Sequence, residues 1–185
     1  VIMEVSSHAI ALDRVAGVTF AVGAFTNLTE DHLDFHKTME NYCDTKAELF
    51  ARSSRCVVNT DDQWQERVAA KAIGPVLKTS GKEAAQLWAK DQIFAADGVC
   101  FQAVAGNREA QVKLPIPGKF TVYNSLTALA VCRHFNIPEE TIKQALRAVK
   151  VKGRVEPVEV SNRFTVMIDY AHNAMSLKSL LTTLA

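Results

Sequence analysis

Three features of the 185-residue chain predict an α/β fold, a largely parallel sheet flanked by helices with an added antiparallel ribbon. Short β-rich runs alternate with helical patterns as far as Ala72, which suggests βαβ units. Two-residue alternation takes over from Leu87 to Leu114, with turn signals at Asp97-Gly98 and Gly106-Asn107. Two further helical patterns then supply cover for the sheet.

The elements follow in order. Val1–Val5 and Val18–Phe25 are apolar runs of strand length, and a helix is predicted over Thr38–Arg52. Cys56–Asn59 reads as a strand and Gln63–Ala72 as a helix. After the ribbon come a helix over Val122–Phe135 and another beginning at Pro138. In the latter, Glu139 and Glu140 sit in the first turn, where the helix dipole favours carboxylates, and Ile142, Leu146 and Val149 form one apolar stripe. Lys150–Arg154, a polar stretch containing Gly153, marks a domain boundary between residues 1–150 and 151–185. Beyond it lie a strand over Phe164–Asp169, a loop over Tyr170–Ala174 and a final helix.

Composition narrows the classes of function. With 48% hydrophobic and 22% charged residues the chain has enough apolar content for a sizeable core, which excludes disorder and a collagen-like fibre. A net charge of +1 without a Lys/Arg block gives no footprint for nucleic acid or an anionic membrane, so small molecules or proteins are the expected partners. Apolar runs such as Val15–Phe25 are broken well short of the roughly 20 residues of a membrane-spanning helix. Cys43, Cys56, Cys100 and Cys132 form no CxxC pair, which argues against a thiolate zinc site and a disulfide scaffold and favours a reducing cytoplasm. Val1 opens inside an apolar run and Ala185 closes inside the amphipathic stretch Ser176–Ala185, so the chain is expected to be cut from a longer protein.

Several clusters carry chemistry. Thr26 to His36 follows a strand and packs Asp31, His32, Asp34 and His36 into six residues. Open α/β sheets place ligands at strand C-termini, so this block is either a divalent-metal site or a helix junction capped by Asp31 or Asp34. Lys46 shares a helical face with Met39, Tyr42, Cys43, Leu49 and Phe50. Desolvation there favours the free amine, able to attack an electrophile or take up carbon dioxide, whereas a snorkelling ammonium is the bland alternative. Glu4 ends the first apolar run and needs a cation, donor or solvent, which makes it a metal-ligand candidate. Ser6 and Ser7 precede His8 without a G-x-S-x-G turn, so they read as helix caps rather than as a nucleophile elbow. Gly74–Lys82 is no phosphate loop, because six residues separate the glycines and Glu83 stands where a hydroxyl is needed.

Taken in order, Glu4-Val5-Ser6-Ser7-His8-Ala9, Thr26 through His36, Tyr42 with Lys46, Asn59-Thr60-Asp61-Asp62, Gly118 through Asn124, Gly153-Arg154 and Asp169-Tyr170-Ala171-His172-Asn173 resemble the Mur ligase family. The resemblance covers nearly the whole chain, as most of the central ATPase domain and the start of the C-terminal domain of a three-domain enzyme. Its opening motif is similar to the muramyl-peptide branch that adds the third peptide residue. It implies a cytoplasmic, ADP-forming ligase that uses ATP and Mg²⁺ on UDP-MurNAc-L-Ala-D-Glu and a free amino acid, through an acyl phosphate. Glu4, His32 and a carbamylated Lys46 would then hold magnesium, with Lys46 and His32 the catalytic pair. Ser6 and Arg14 would contact the UDP-MurNAc-peptide, Asn124 the adenine, and Arg154 and Asp169 the ribose.

Thr121 and Ala174-Met175 depart from the family pattern, and the phosphate loop, the UDP-binding domain and the amino-acid-selecting region are not in this sequence. The chain by itself is therefore expected to be inactive. Oligomeric state is left open, a monomer being the simplest expectation. Two other classes compete: a metal-dependent hydrolase built on His32, Asp34 and His36, and a non-catalytic scaffold of the same fold.

Overall fold

The computed structural model describes residues 1–161, 163, 164, 166–172 and 174–184; of Met175, Ser179, Thr183 and Leu184 only the backbone is described. One six-stranded sheet runs in spatial order β1 (Gly23–Phe25), β2 (Cys56–Asn59), β3 (Val76–Ser80), β4 (Leu87–Ala95), β5 (Gly98–Ala105) and β6 (Arg108–Leu114). The pairings from β1 to β4 are parallel and those from β4 to β6 antiparallel. The expected ribbon is thus continuous with the parallel sheet, joined where Thr79 and Ser80 pair with Leu87 and Trp88.

The period of two along β2 sorts its side chains between two cores. Val57 points to one face, where it meets Leu87, Phe101 and Val112 of the sheet under Val122, Leu126 and Leu129 of α5 (Lys119–His134) and Ile142 of α6 (Glu139–Ala148). Cys56 and Val58 point to the other, against Tyr42, Cys43, Ala47 and Phe50 of α3 (Met39–Ala51) and Val68 of α4 (Gln65–Ala69). Helices therefore cover both faces. A second sheet pairs β7 (Glu156–Val158) with β8 (Val166–Ile168), followed by α7 (Ala174–Leu184).

Several expectations need correction. Val1–Val5 is not a strand: its backbone has no ladder partner among the described residues, and Val1, Ile2 and Met3 stand exposed. Apolar composition alone does not saturate backbone N–H and C=O groups. Val18–Phe25 contracts to β1 and one bridge between Phe20 and Ser53. The predicted helix over Gln63–Ala72 contracts to α4, its approach set by Asp62 Oδ1 accepting the Trp64 N–H at 2.9 Å. Two strands were not expected. β3 lies in the stretch considered only as a phosphate loop, and β7 contains Pro157, tolerated in a sheet of two edge strands. Thr165, in the predicted strand Phe164–Asp169, lies outside the described residues.

Candidate active site

The loop after β1 leads into α2 (Leu33–His36) at the C-terminal edge of the parallel strands. It enters through His32, whose φ of 53° is a left-handed conformation unusual for a side-chain-bearing residue. Asp31 steadies this corner, its Oδ1 accepting the His32 N–H at 2.8 Å and lying 3.6 Å from His32 Nδ1. α1 (Ser7–Ala11) lies alongside, so that the His8 ring is 5.0 Å from His32 and 5.7 Å from His36, centroid to centroid.

His36 is turned away from a shared metal. It is 6% exposed, its Nε2 lies 2.8 Å from Ser7 Oγ, and its ring stacks on Tyr42 with centroids 4.9 Å apart. Burial, then the charges of His8, His32 and Lys46, lower its pKa below the usual histidine value, against an opposing pull from Asp34. Among the described residues no three His, Cys, Asp or Glu side chains are placed to hold one ion. That arrangement gives no support to the zinc cluster His32/Asp34/His36.

Lys46 comes from α3, which begins at Thr38, whose hydroxyl accepts the Asn41 N–H at 3.2 Å. The fully buried row is Tyr42, Cys43, Ala47 and Phe50, and Lys46 is half-buried at its margin rather than inside it. Its Nζ lies 5.3 Å from the centre of the Tyr42 ring. Desolvation lowers the pKa of the amine, and the charges of Glu4 and Asp31 oppose that shift. Glu4, Asp31, His32 and Lys46 therefore share one electrostatic neighbourhood although they come from three parts of the chain. Burial and the charge of Asp31 raise the Tyr42 phenol above its ordinary value, which keeps it protonated.

The other expected residues make contacts of their own. Ser6 caps α1, its Oγ accepting the Ala9 N–H at 3.1 Å. Arg14 is exposed and its guanidinium has no partner among the described residues. Asn124 is exposed on α5, while Thr121 is buried and donates to the Pro117 carbonyl at 3.2 Å. Arg154 lies over the Tyr170 ring at 5.1 Å. Asp169 accepts from the backbone N–H groups of Val155 at 2.9 Å and Ala171 at 2.7 Å, so its carboxylate ties the strand β8 end to the segment before β7. Asn173 of the same motif lies outside the described residues.

Sequence reasoning missed a brace behind the site. Asn59 Nδ2 donates to the Thr26 carbonyl at 2.9 Å, and Asp62 Oδ2 accepts the Leu28 N–H at 2.9 Å. The usable signal was position: Asn59–Asp62 leaves β2 next to the end of β1.

A doubly covered α/β sheet with this loop constellation defines a class, and the chain belongs to the Mur ligase family, the model described as Mur ligase middle domain matching residues 1–132. It is 40% identical over 185 residues to the UDP-N-acetylmuramoyl-L-alanyl-D-glutamate--2,6-diaminopimelate ligase of Caldanaerobacter subterraneus subsp. tengcongensis. The ligase of the same name from Clostridium botulinum is 41% identical over 185 residues. These alignments take in 100% and 98% of the chain but 38% of each relative, so the chain spans well under half their length. A solved ligase of that name superposes with a TM-score of 0.83 at 26% identity, over 98% of this chain and 39% of that one. MurF from Acinetobacter baumannii shares the fold, with a TM-score of 0.80 at 19% identity over 89% of this chain and 37% of that one.

Proposed function

We propose that this chain is the central part, residues 1–150, and the opening of the C-terminal part, residues 151–185, of a cytoplasmic ATP-dependent ligase. The enzyme adds the third amino acid to UDP-MurNAc-L-Ala-D-Glu in peptidoglycan precursor synthesis, and the names of the relatives favour 2,6-diaminopimelate. The substrate carboxylate takes the terminal phosphoryl group of ATP, releasing ADP. The amine of the incoming amino acid then attacks the acyl phosphate, forming the amide and releasing phosphate.

The observation that carries this reading is the half-buried Lys46 amine over the Tyr42 ring, 5.3 Å from its centre, its pKa lowered by desolvation against the opposing charges of Glu4 and Asp31. Desolvation enlarges the free-amine fraction, and the amine lone pair can attack the carbon of CO₂, with loss of one proton, to give a carbamate. That reaction replaces a desolvated cation by an oxygen donor. Carboxylate and carbamate oxygens suit hard Mg²⁺, which is usually bound by one or two carboxylates together with substrate phosphates, and the His32 imidazole would be the less typical ligand of the set.

Bound magnesium supplies neutralisation of the charge on the phosphoryl oxygens. Glu4, His32 and Lys46 hold it in this reading, and Asp31 orients His32 by bonding its backbone. Arg14, exposed, pairs in this reading with an anionic group of the UDP-MurNAc-peptide, and Ser6 contacts the same substrate. Asn124 addresses adenine, and Arg154 and Asp169 the ribose.

Intact-mass measurement and ¹³C NMR of the full-length enzyme in labelled bicarbonate test the reading. A carbamate on Lys46 together with amino-acid-dependent ADP release is expected. An active ligase with unmodified Lys46 removes the carbamate from the reading, and absent amino-acid-dependent ADP release, or tight zinc binding at His32 with hydrolase activity, overturns the reading itself.

A further inference from the structure

The Tyr42 ring has three side chains of the site as neighbours, and one of them is firmly anchored. His36 stacks on the ring with planes 19° and centroids 4.9 Å apart, and His36 Nε2 is itself fixed by Ser7 Oγ at 2.8 Å. With Tyr42 only 6% exposed, the ring is held by α1 and α2 as well as by α3, which carries it.

The other two neighbours lack such an anchor. Lys46 follows one helical turn after Tyr42, with its Nζ 5.3 Å from the ring centre, and that amine has no hydrogen bond or ion pair among the described residues. A lysine stem has several rotatable bonds, so the surface it rests on decides where its end lies. The His32 ring stands nearly perpendicular to Tyr42, at 83° with centroids 6.0 Å apart, an edge-to-face arrangement that aromatic rings favour. Asp31 bonds the His32 backbone, but its Oδ1 is 3.6 Å from Nδ1, too far for a hydrogen bond to the ring. The rotation of the imidazole is therefore left to its ring neighbours, Tyr42 and, with centroids 5.0 Å apart, His8.

We propose that Tyr42 is a positioning residue whose ring holds Lys46 and His32 in one geometry. The inference rests on the metal-ligand reading of those two residues given above. The Tyr42 hydroxyl makes no hydrogen bond among the described residues, so the ring rather than the oxygen does the positioning.

Tyr42→Leu and Tyr42→Phe in the full-length enzyme test it, with turnover, ¹³C NMR in labelled bicarbonate and thermal unfolding measured side by side. In wild type, Mn²⁺ used in place of Mg²⁺ should broaden the Lys46 carbamate resonance. Tyr42→Leu is expected to lower kcat about 10- to 100-fold, with KM for the amino acid changed less than about twofold, and to need about tenfold more Mn²⁺ for the same broadening. Tyr42→Phe, which keeps the ring, should restore both readouts to within about twofold of wild type. A residue that only filled the core would cost thermal stability in Tyr42→Leu and leave the Mn²⁺ titration unmoved. That outcome, or a Tyr42→Phe as impaired as Tyr42→Leu, overturns the inference and leaves the ligand reading standing. If wild type shows no Mn²⁺-sensitive carbamate, the ligand reading of Lys46 fails and the inference goes with it. Should Tyr42→Leu not fold, Tyr42→Met, a flexible filler without a flat face, takes its place.

Discussion

His36 Nε2 and Ser7 Oγ meet at 2.8 Å across 29 residues of sequence, in a buried seam where α1 crosses the end of α2. The contact begins a series of ring and side-chain neighbours. His36 stacks on Tyr42, and Tyr42 faces the amine of Lys46. A small hydroxyl far from Lys46 in sequence thereby helps set the wall against which that amine rests.

Ser7→Ala removes the partner of a buried imidazole nitrogen and leaves it unsatisfied. The expected loss is about 1–3 kcal/mol in a urea titration of the full-length protein, with an unchanged m-value. A loss under 0.3 kcal/mol, on the same scale, would show that water replaces the hydroxyl.

The lowered pKa of His36 makes stability depend on pH, in a defined direction. The unfolded chain takes up a proton near the ordinary histidine value of 6.5 while the folded chain resists it, because burial and neighbouring cations disfavour the imidazolium. The contribution is therefore fully present above pH 6.5 and is lost as pH falls through the lower folded value. Urea midpoints measured on either side of this window should fall more steeply in wild type than in His36→Gln. Parallel curves would assign the acid sensitivity elsewhere.

Lys46→Met keeps the stem and discards the charged end of a half-buried side chain. Stability should stay within about 1 kcal/mol of wild type, since removing a desolvated charge offsets the lost contact with Tyr42. Ligase turnover of the full-length enzyme should vanish. Retained turnover removes Lys46 from the chemistry.

Gly98→Ala tests the ribbon. Gly98 has φ of +153°, and an added Cβ would stand 2.0 Å from the Leu114 carbonyl oxygen, which is backbone and cannot swing aside. A destabilisation of about 2–4 kcal/mol is expected from strain and forced separation of β5 and β6. Equilibrium unfolding would expose a smaller effect, and with it a ladder that yields easily at this end.

Much of the fold was legible because periodicity survives any tertiary context. β2 occupies Cys56–Asn59 as read, α3 lies one residue inside the predicted ends, the second ribbon turn falls at Gly106-Asn107 as read, and the first falls at Ala96-Asp97, one residue ahead of the predicted Asp97-Gly98, whose glycine opens β5. β3 escaped notice because Lys78, Thr79 and Ser80 interrupt its apolar character, and what makes it a strand is pairing with β2 and β4. The apolar run Val1–Val5 failed for the converse reason, having composition without a neighbour.

For the site, the sequence by itself determined the inventory: the Asp31–His36 block after a strand, Lys46 beside an apolar stripe, and a Glu4 in search of a counter-charge. Which of these groups meet was decided by tertiary structure alone. Glu4, Asp31 and Lys46 influence one another across loops and a helix, while His36, two residues from Asp34, is turned to Ser7 instead. The physical reason is range. Helical and strand periods are written over a few residues, whereas Coulomb interaction, desolvation and hydrogen bonding depend on distances that only the folded sheet brings down to a few ångströms.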